Sequence, residues 1–243
     1  MEWKYKPAEL ELFHIHTKRC KHAEDIADEE YVKKAIELGA NRIVFTDHAP
    51  FPDNPFGNRM DYEELPEYIA SMKALKKQYS EKIEVLYGLE AEYLSSFDEY
   101  IKQLKESKNF DLLILGQHIC EIPQNSMHWS FECEDKSKEH IYLVEAILNG
   151  IDTGYFDVVA HPDRVFRRVK EWTDTEDNLA REIRIHATKQ RMPIEWNYSS
   201  YKRKGQYKKE FWDLVDDTSL VVEGIDAHSI IDIEKWACWN ESR

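Results

Sequence analysis

Glu11-Leu12-Phe13-His14-Ile15-His16-Thr17 (residues 11–17) is a short apolar run with two histidines near its end. It reads as a buried strand. Residues i and i+2 of a strand point to the same face, so both imidazoles can converge on one ion. Taken alone, such a pair serves equally as a packing pair or as the start of a metal site. Six further short runs share the β-branched, apolar character: Arg42–His48, Ile83–Glu90, Asp111–His118, Asp157–His161, Pro193–Asn197 and Leu220–Asp226. Between them lie amphipathic stretches at about Asp28–Leu38, Tyr62–Tyr79, Ser96–Glu106, Lys136–Leu148, Thr175–Gln190 and Gln206–Val215. Gly39 is a natural stop for the first. Strand and helix alternate, which predicts a largely parallel sheet in an open or incompletely closed barrel related to the eight-stranded kind.

The same chemistry recurs at the end of nearly every strand. The second closes on Thr46-Asp47-His48, the third on Gly88-Leu89-Glu90, and the fourth on Gly116-Gln117-His118. The fifth closes on Ala160-His161-Pro162 and the last on Asp226-Ala227-His228. In a parallel barrel these ends surround one mouth, so the set is not expected by chance. His128, His140 and His186 fall in a loop or in predicted helices and are expected to be ordinary solvated residues. The donors outnumber what one tetrahedral ion can use, so more than one metal is implied. Nitrogen and carboxylate donors without thiolates suit zinc, iron or manganese. Cys20 lies between His16 and His22 but is not expected to ligate.

The 243 residues carry 33 Lys plus Arg against 47 Asp plus Glu, a net charge of −14. That field repels long nucleic acid. No apolar run approaches the ~20 residues of a membrane span, and Met1–Leu10 resembles neither a signal nor a transit sequence, so the expected location is the cytoplasm. Cys20, Cys120, Cys133 and Cys238 are scattered without a C-x-x-C pair and are expected to be thiols. With no linker and no repeat, residues 1–243 are expected to form a single domain. Pro50–Met60 and Ile119–Asp135 read as long loops after strands, the usual place for function. Their aromatics Phe51, Phe56, Trp129 and Phe131 either shape a lid or pack beneath it.

These residues resemble the PHP family, named for polymerase and histidinol phosphatase domains. The likeness runs from Phe13-His14-Ile15-His16-Thr17 through His22, Thr46-Asp47-His48, Gly88-Leu89-Glu90 and Gly116-Gln117-His118 to His161-Pro162-Asp163 and Asp226-Ala227-His228. It implies a distorted seven-stranded (β/α)7 barrel, TIM-barrel-like, holding a trinuclear centre with two to three divalent ions. By analogy His14, His16, Glu90 and Asp226 hold the first metal. Glu90 bridges to a second with His118 and His161, and His22, His48 and His228 hold the third. Within the family the likeness is to histidinol-phosphate phosphatases. Their sixth-strand segment Glu-x-Asn-Thr-Ser-Gly-x-Arg reads Glu195-Trp196-Asn197-Tyr198-Ser199-Ser200-Tyr201-Lys202 here. Glu195, Asn197 and Ser199 match, whereas Tyr198, Ser200 and Lys202 depart. Only 15 residues follow His228, which implies that the family's terminal helix is absent or shortened.

The expected activity is that of a metal-dependent phosphomonoesterase on a small phosphorylated metabolite, with L-histidinol phosphate as the best guess. Three divalent ions against Glu90 and Asp226 leave a charge of about +4, which attracts phosphate despite the overall charge. The nucleophile is expected to be a metal-bridging hydroxide held by Glu90, Asp226 and His161. Arg167 and Lys202 are candidate phosphate contacts; alternatively Arg164, Arg167 and Arg168 form a solvated basic cluster. Asp47 either orients His48 from behind or caps a turn. Two other functions fit less well. One is a phosphodiesterase, nucleotide phosphohydrolase or exonuclease on the same centre. The other is a non-catalytic metal-binding module with Trp3, Trp236 and Trp239 as partner surface.

Overall fold

The protein is described by a computed structural model covering residues 2–122, 129–132 and 136–242; the expectations for His128 and Cys133 lie outside the described residues. Seven strands form one sheet in chain order: β1 (Glu11–Ile15), β2 (Arg42–His48), β3 (Glu84–Ala91), β4 (Leu112–Leu115), β5 (Val158–Val159), β6 (Ile194–Asn197) and β7 (Val221–Gly224). The result is the expected nearly closed parallel β/α barrel. Among the described residues no helix is long and apolar enough to cross a membrane. The chain packs as two compact units.

One unit comprises Pro7–Glu90, Lys108–Leu113 and Glu223–Arg243. Here β2 pairs with β3 in unbroken parallel register from Arg42↔Glu84 to His48↔Glu90. β1 pairs with β2 but slips between Phe13 and Ile15. The other edge of β1 is bound by the chain after β7, where Ile225 N–H donates to Phe13 O (2.9 Å) and Ala227 N–H to His14 O (3.1 Å). Leu12, Phe13, Ile15, Ile43, Val44 and Phe45 are all buried, so both faces of these strands are covered, as parallel sheets require. Gly88 is needed where it stands, because a Cβ there would meet Leu112 O at 2.0 Å. The helices are α1 (Asp28–Glu37) and α2 (Leu65–Gln78). Arg19 ties them together: its guanidinium donates to Asp28 on α1 at 2.9 Å and to Glu67 on α2 at 2.9 and 3.1 Å.

The other unit comprises Met1–Lys6, Ala91–Ser107 and Ile114–Val222. In it Ile114 and Leu115 pair with Val158 and Val159, and Val159 pairs with Ile194. Its helices are α3 (Asp98–Glu106), α4 (Glu139–Thr153), α5 (Asp174–Lys189), α6 (Tyr198–Lys202) and α7 (Lys209–Trp212). The predicted boundaries shift for identifiable reasons. α4 runs on to Thr153 because its left-handed stop is Gly154, φ 75°, and not the residues after Leu148. α5 begins where Thr173 and Glu176 form a reciprocal capping box. The predicted Gln206–Val215 helix shrinks to α7. The first unit carries one helix that sequence reading left out, α8 (Ile230–Asn240), capped by Ser229 Oγ accepting from Asp232 N–H. A helix thus does follow His228, which excludes an absent one and leaves the expectation of a shortened one standing.

Candidate metal centre

Strand alternation predicts that His14 and His16 share a face, but the structure achieves their convergence differently. His14 sits at the β1 slip with φ 69°, a left-handed conformation. Its ring centroid then lies 4.9 Å from that of His16. Asp226 at φ 56° and His161 at φ 30° are left-handed too. Each such residue without glycine's freedom costs on the order of 1–3 kcal/mol, and such strain concentrates at functional sites.

In the first unit seven candidate donors come together. Glu90 Oε2 lies 3.3 Å from His14 Nε2, 3.5 Å from His16 Nε2 and 3.0 Å from His48 Nδ1. Asp226 Oδ1 lies 3.4 Å from His16 Nε2 and 3.6 Å from His228 Nδ1. The rings of His22 and His228 are 4.5 Å apart, and those of His16 and His228 stack at 4.3 Å. Sets of donor atoms within 4.8 Å of one another are His14, His16 and Asp226; His16, His48 and Glu90; and His22, His48 and His228. Donors ~2.0–2.2 Å from a tetrahedral ion stand about 3.3–3.5 Å from one another, so the spacing suits a bound cation.

The electrostatics fit as well. Burial, reinforced by the neighbouring His48, pushes the His16 imidazole down to about 3, and burial with the neighbouring His16 does the same for His228. Both rings are therefore neutral, the form that ligates metal. His16 Nδ1 and His228 Nε2 are buried without a hydrogen-bond partner among the described residues, an accounting that protein interiors rarely leave open. Cys20 joins this neighbourhood, its Sγ within 4.8 Å of donor atoms of His16 and His228. Burial and then Asp47 push its thiol up to about 12. Asp47 resolves in favour of a turn clamp: its two oxygens accept from Thr17 N–H and Thr17 Oγ, each at 2.7 Å. It fixes the chain just beyond His16, and burial raises its carboxyl to about 7.

The second unit brings His118 and His161 together, ring centroids 5.0 Å apart. Glu195 Oε2 accepts from the backbone N–H of His161 at 2.9 Å and from Asn197 Nδ2 at 3.1 Å. The basic cluster of sequence reading separates into three different environments. Arg164 is buried and donates to Ser200 Oγ (2.8 Å) and Asn197 Oδ1 (2.9 Å). Arg168 pairs with Glu139 at 3.0 Å. The Arg167 side chain, mostly withdrawn from water, has no hydrogen bond or ion pair among the described residues, and that desolvation lowers its pKa. Lys202 ends α6 exposed, its ammonium 5.9 Å from the centre of the Tyr198 ring.

Several expectations need correction. His140 is not solvated: it is buried on α4 with Nε2 3.0 Å from Glu176 Oε1. His186 remains partly exposed beside Asp152 at 2.9 Å. Phe51 is fully buried and packs edge-on against Phe56 at 5.3 Å, with Arg59 over both rings. These two rings pack beneath their loop, whereas Phe131 is exposed. Trp236 is buried with Nε1 donating to Glu223 at 2.8 Å, and Trp3 stacks with Arg191. Cys20, Cys120 and Cys238 are free thiols. Sequence reading missed Glu92, a fully buried carboxylate 3.2 Å from His118 Nδ1. Its only signal was the i, i+2 spacing from Glu90.

Residues 13–199 match the family model of the PHP domain. A relative in Deinococcus radiodurans named "Probable histidinol-phosphatase" is 30% identical over 165 residues, 62% of this chain and 59% of that protein. The chain therefore spans about three fifths of the length of that relative, and about a third of the Bacillus subtilis histidinol-phosphatase, to which it is 33% identical over 94 residues. Among solved structures, a histidinol phosphate phosphatase from Lactococcus lactis, complexed with zinc, L-histidinol and phosphate, superposes with a TM-score of 0.71. It is 21% identical and covers 96% of this chain and 93% of its own.

Proposed function

The chain belongs to the PHP domain family, and from that premise we propose that it is a metal-dependent phosphomonoesterase acting on a small phosphorylated metabolite, L-histidinol phosphate first among them. One observation carries this reading: a buried carboxylate, Glu90, within 3.0–3.5 Å of three imidazole nitrogens. The relatives named histidinol-phosphatase, and the zinc, histidinol and phosphate bound by the Lactococcus protein, support the substrate class.

Two to three divalent ions, zinc, manganese or iron, are assigned to His14, His16, His22, His48, Glu90, Asp226 and His228, with His118 and His161 joining them on the family pattern. Bound ions of this kind lower the pKa of water to roughly 7 and offset the charge of a phosphoryl group. Glu90, Asp226 and His161 are the residues we assign to orienting the attacking hydroxide. The neutral rings of His16 and His228 keep their lone pairs available at physiological pH. Arg167 supplies what the metal ligands lack, a donor for the non-bridging phosphate oxygens. Its guanidinium is mostly withdrawn from water and, although the Glu139 charge is near, makes no hydrogen bond or ion pair among the described residues, so an incoming phosphate has little water to displace. Lys202 is assigned as a second, solvated contact. The net charge of −14 disfavours long nucleic acid as substrate, and we place the enzyme in the cytoplasm.

The test is elemental analysis of the purified protein beside a phosphoester panel containing histidinol phosphate, a nucleotide, p-nitrophenyl phosphate and bis-p-nitrophenyl phosphate. Two to three metals per chain with turnover of histidinol phosphate above the other esters is the expected result. Faster cleavage of the diester would move the reading to a phosphodiesterase. Metal-replete protein that hydrolyses none of these esters would leave a non-catalytic metal-binding module.

A further inference from the structure

The end of β4 and the segment just after β3 are locked together around one pair of side chains. Gln117 does the locking. Its Oε1 accepts from Tyr93 N–H at 3.0 Å, while its Nε2 donates to Tyr93 O at 3.0 Å and to Ile119 O at 2.6 Å. Gln117 is itself buried. The amide thereby fixes the backbone immediately after Glu92 and on both sides of His118. Between these fixed points the Glu92 carboxylate, fully buried, lies with Oε1 3.2 Å from His118 Nδ1. A buried carboxylate is retained only where it has partners, and nothing in the function proposed above uses this one.

We propose that Glu92 is a positioning residue for His118: it accepts the Nδ1 proton, so that the ring presents the Nε2 lone pair to a divalent metal. A ligating histidine generally donates its other ring N–H to a carboxylate or carbonyl, which sets the tautomer, orients the ring and raises its basicity. The distance, the burial of Glu92 and the Gln117 brace supply that arrangement. His118 is only partly buried, 25% exposed at the side chain, so its Nε2 edge is not sealed by the contact that holds Nδ1. This inference rests on the reading of His118 as a metal ligand.

The experiment measures zinc affinity of the 243-residue chain by competition with a chelating indicator, in parallel with circular dichroism to check the fold. Glu92→Leu is expected to weaken the weakest-bound zinc by ~10–100-fold. Glu92→Gln, whose amide oxygen still accepts from Nδ1, is expected to lose no more than about 5-fold. His118→Ala serves as the reference, and the double variant Glu92→Leu/His118→Ala should bind no more weakly than His118→Ala alone. Equal losses in Glu92→Gln and Glu92→Leu would overturn the proposal, since they would make the charge itself, and not the accepted proton, what matters. A loss in His118→Ala without one in Glu92→Leu would overturn it while leaving His118 a ligand. Zinc binding unchanged in His118→Ala would instead remove the reading on which it rests. If Glu92→Leu does not fold, 15N NMR of the metal-free wild-type protein decides: a His118 ring protonated on Nδ1 supports the proposal, and one protonated on Nε2 overturns it.

Discussion

His16 and Arg164 are both buried polar side chains near the ends of parallel strands, and they are wired in opposite ways. Around Arg164 the accounts are closed: Nε and Nη2 find Ser200 and Asn197, and Asn197 in turn donates to Glu195. Around His16 they are open, with a ring nitrogen that has no hydrogen-bond partner among the described residues and like-natured rings stacked against it. Folding alone would not keep the second arrangement, because an unsatisfied buried polar atom costs about 1–3 kcal/mol. The closed network holds a loop in place; the open cluster is built to be completed by something else. Burial of polar residues therefore does not mark a site by itself. What marks it is burial without internal satisfaction.

The contrast breaks most sharply at Glu90. Glu90→Ala is expected to lower phosphoester turnover by more than ~100-fold, beyond what removing a group behind the ligands costs, and to reduce bound metal while circular dichroism stays unchanged. His161→Ala should behave alike. Stripping the wild-type protein with a chelator should reproduce the loss, and added zinc or manganese should reverse it. Full activity in either variant would defeat the ligand assignment.

Next in size are the arginines, which separate the two kinds of wiring within one loop. Arg167→Ala is expected to lower kcat/KM by ~10–100-fold, the loss of one charge-assisted phosphate contact, with little change in melting temperature. Arg164→Ala should do the reverse to first order, costing roughly 1–3 kcal/mol of stability by removing the donor to the buried Ser200 Oγ and one of the two that serve Asn197 Oδ1. Arg19→Ala extends the test to the other unit. It strands the buried Asp28 and is expected to cost about 3–5 kcal/mol in urea unfolding, measurable on metal-free protein where activity is not in play.

Much of this was legible beforehand. The strand positions and the ligand candidates followed from apolar runs that, all but the sixth, carry His, Glu or Asp at or just past their ends, since a parallel barrel has only one face at which such ends can meet. What was not legible is how they meet. The left-handed backbone at His14, Asp226 and His161 leaves no mark in residue type, because glycine is the usual cue and none stands there. Glu92 was hidden behind Glu90, one strand alternation earlier. His140 looks solvated in sequence because its partner is distant along the chain: it is Glu176 on α5 that meets its ring at 3.0 Å, a contact that the residues around His140 do not announce. The terminal helix α8 did carry a cue, Ser229 followed three residues later by Asp232, and the shortness of the tail obscured it.

Lys202 offers the finest grading of the comparison. It stands where the family pattern has arginine, and it is exposed, with its ammonium over the Tyr198 ring and its hydration intact. An ammonium that must shed water to reach a phosphate oxygen returns less of the contact energy than a guanidinium already mostly withdrawn from water. Lys202→Ala is thus expected to raise KM by only about 3-fold, with kcat unchanged, and raising the salt concentration should shrink even that difference. Lys202→Arg should tighten phosphate inhibition slightly, because the planar fork restores bidentate geometry. If Lys202→Ala instead matched the loss in Arg167→Ala, exposure would be a poor guide to what a phosphate contact contributes in this protein, and the distinction between desolvated and solvated donors would fail at the place where it is drawn most finely.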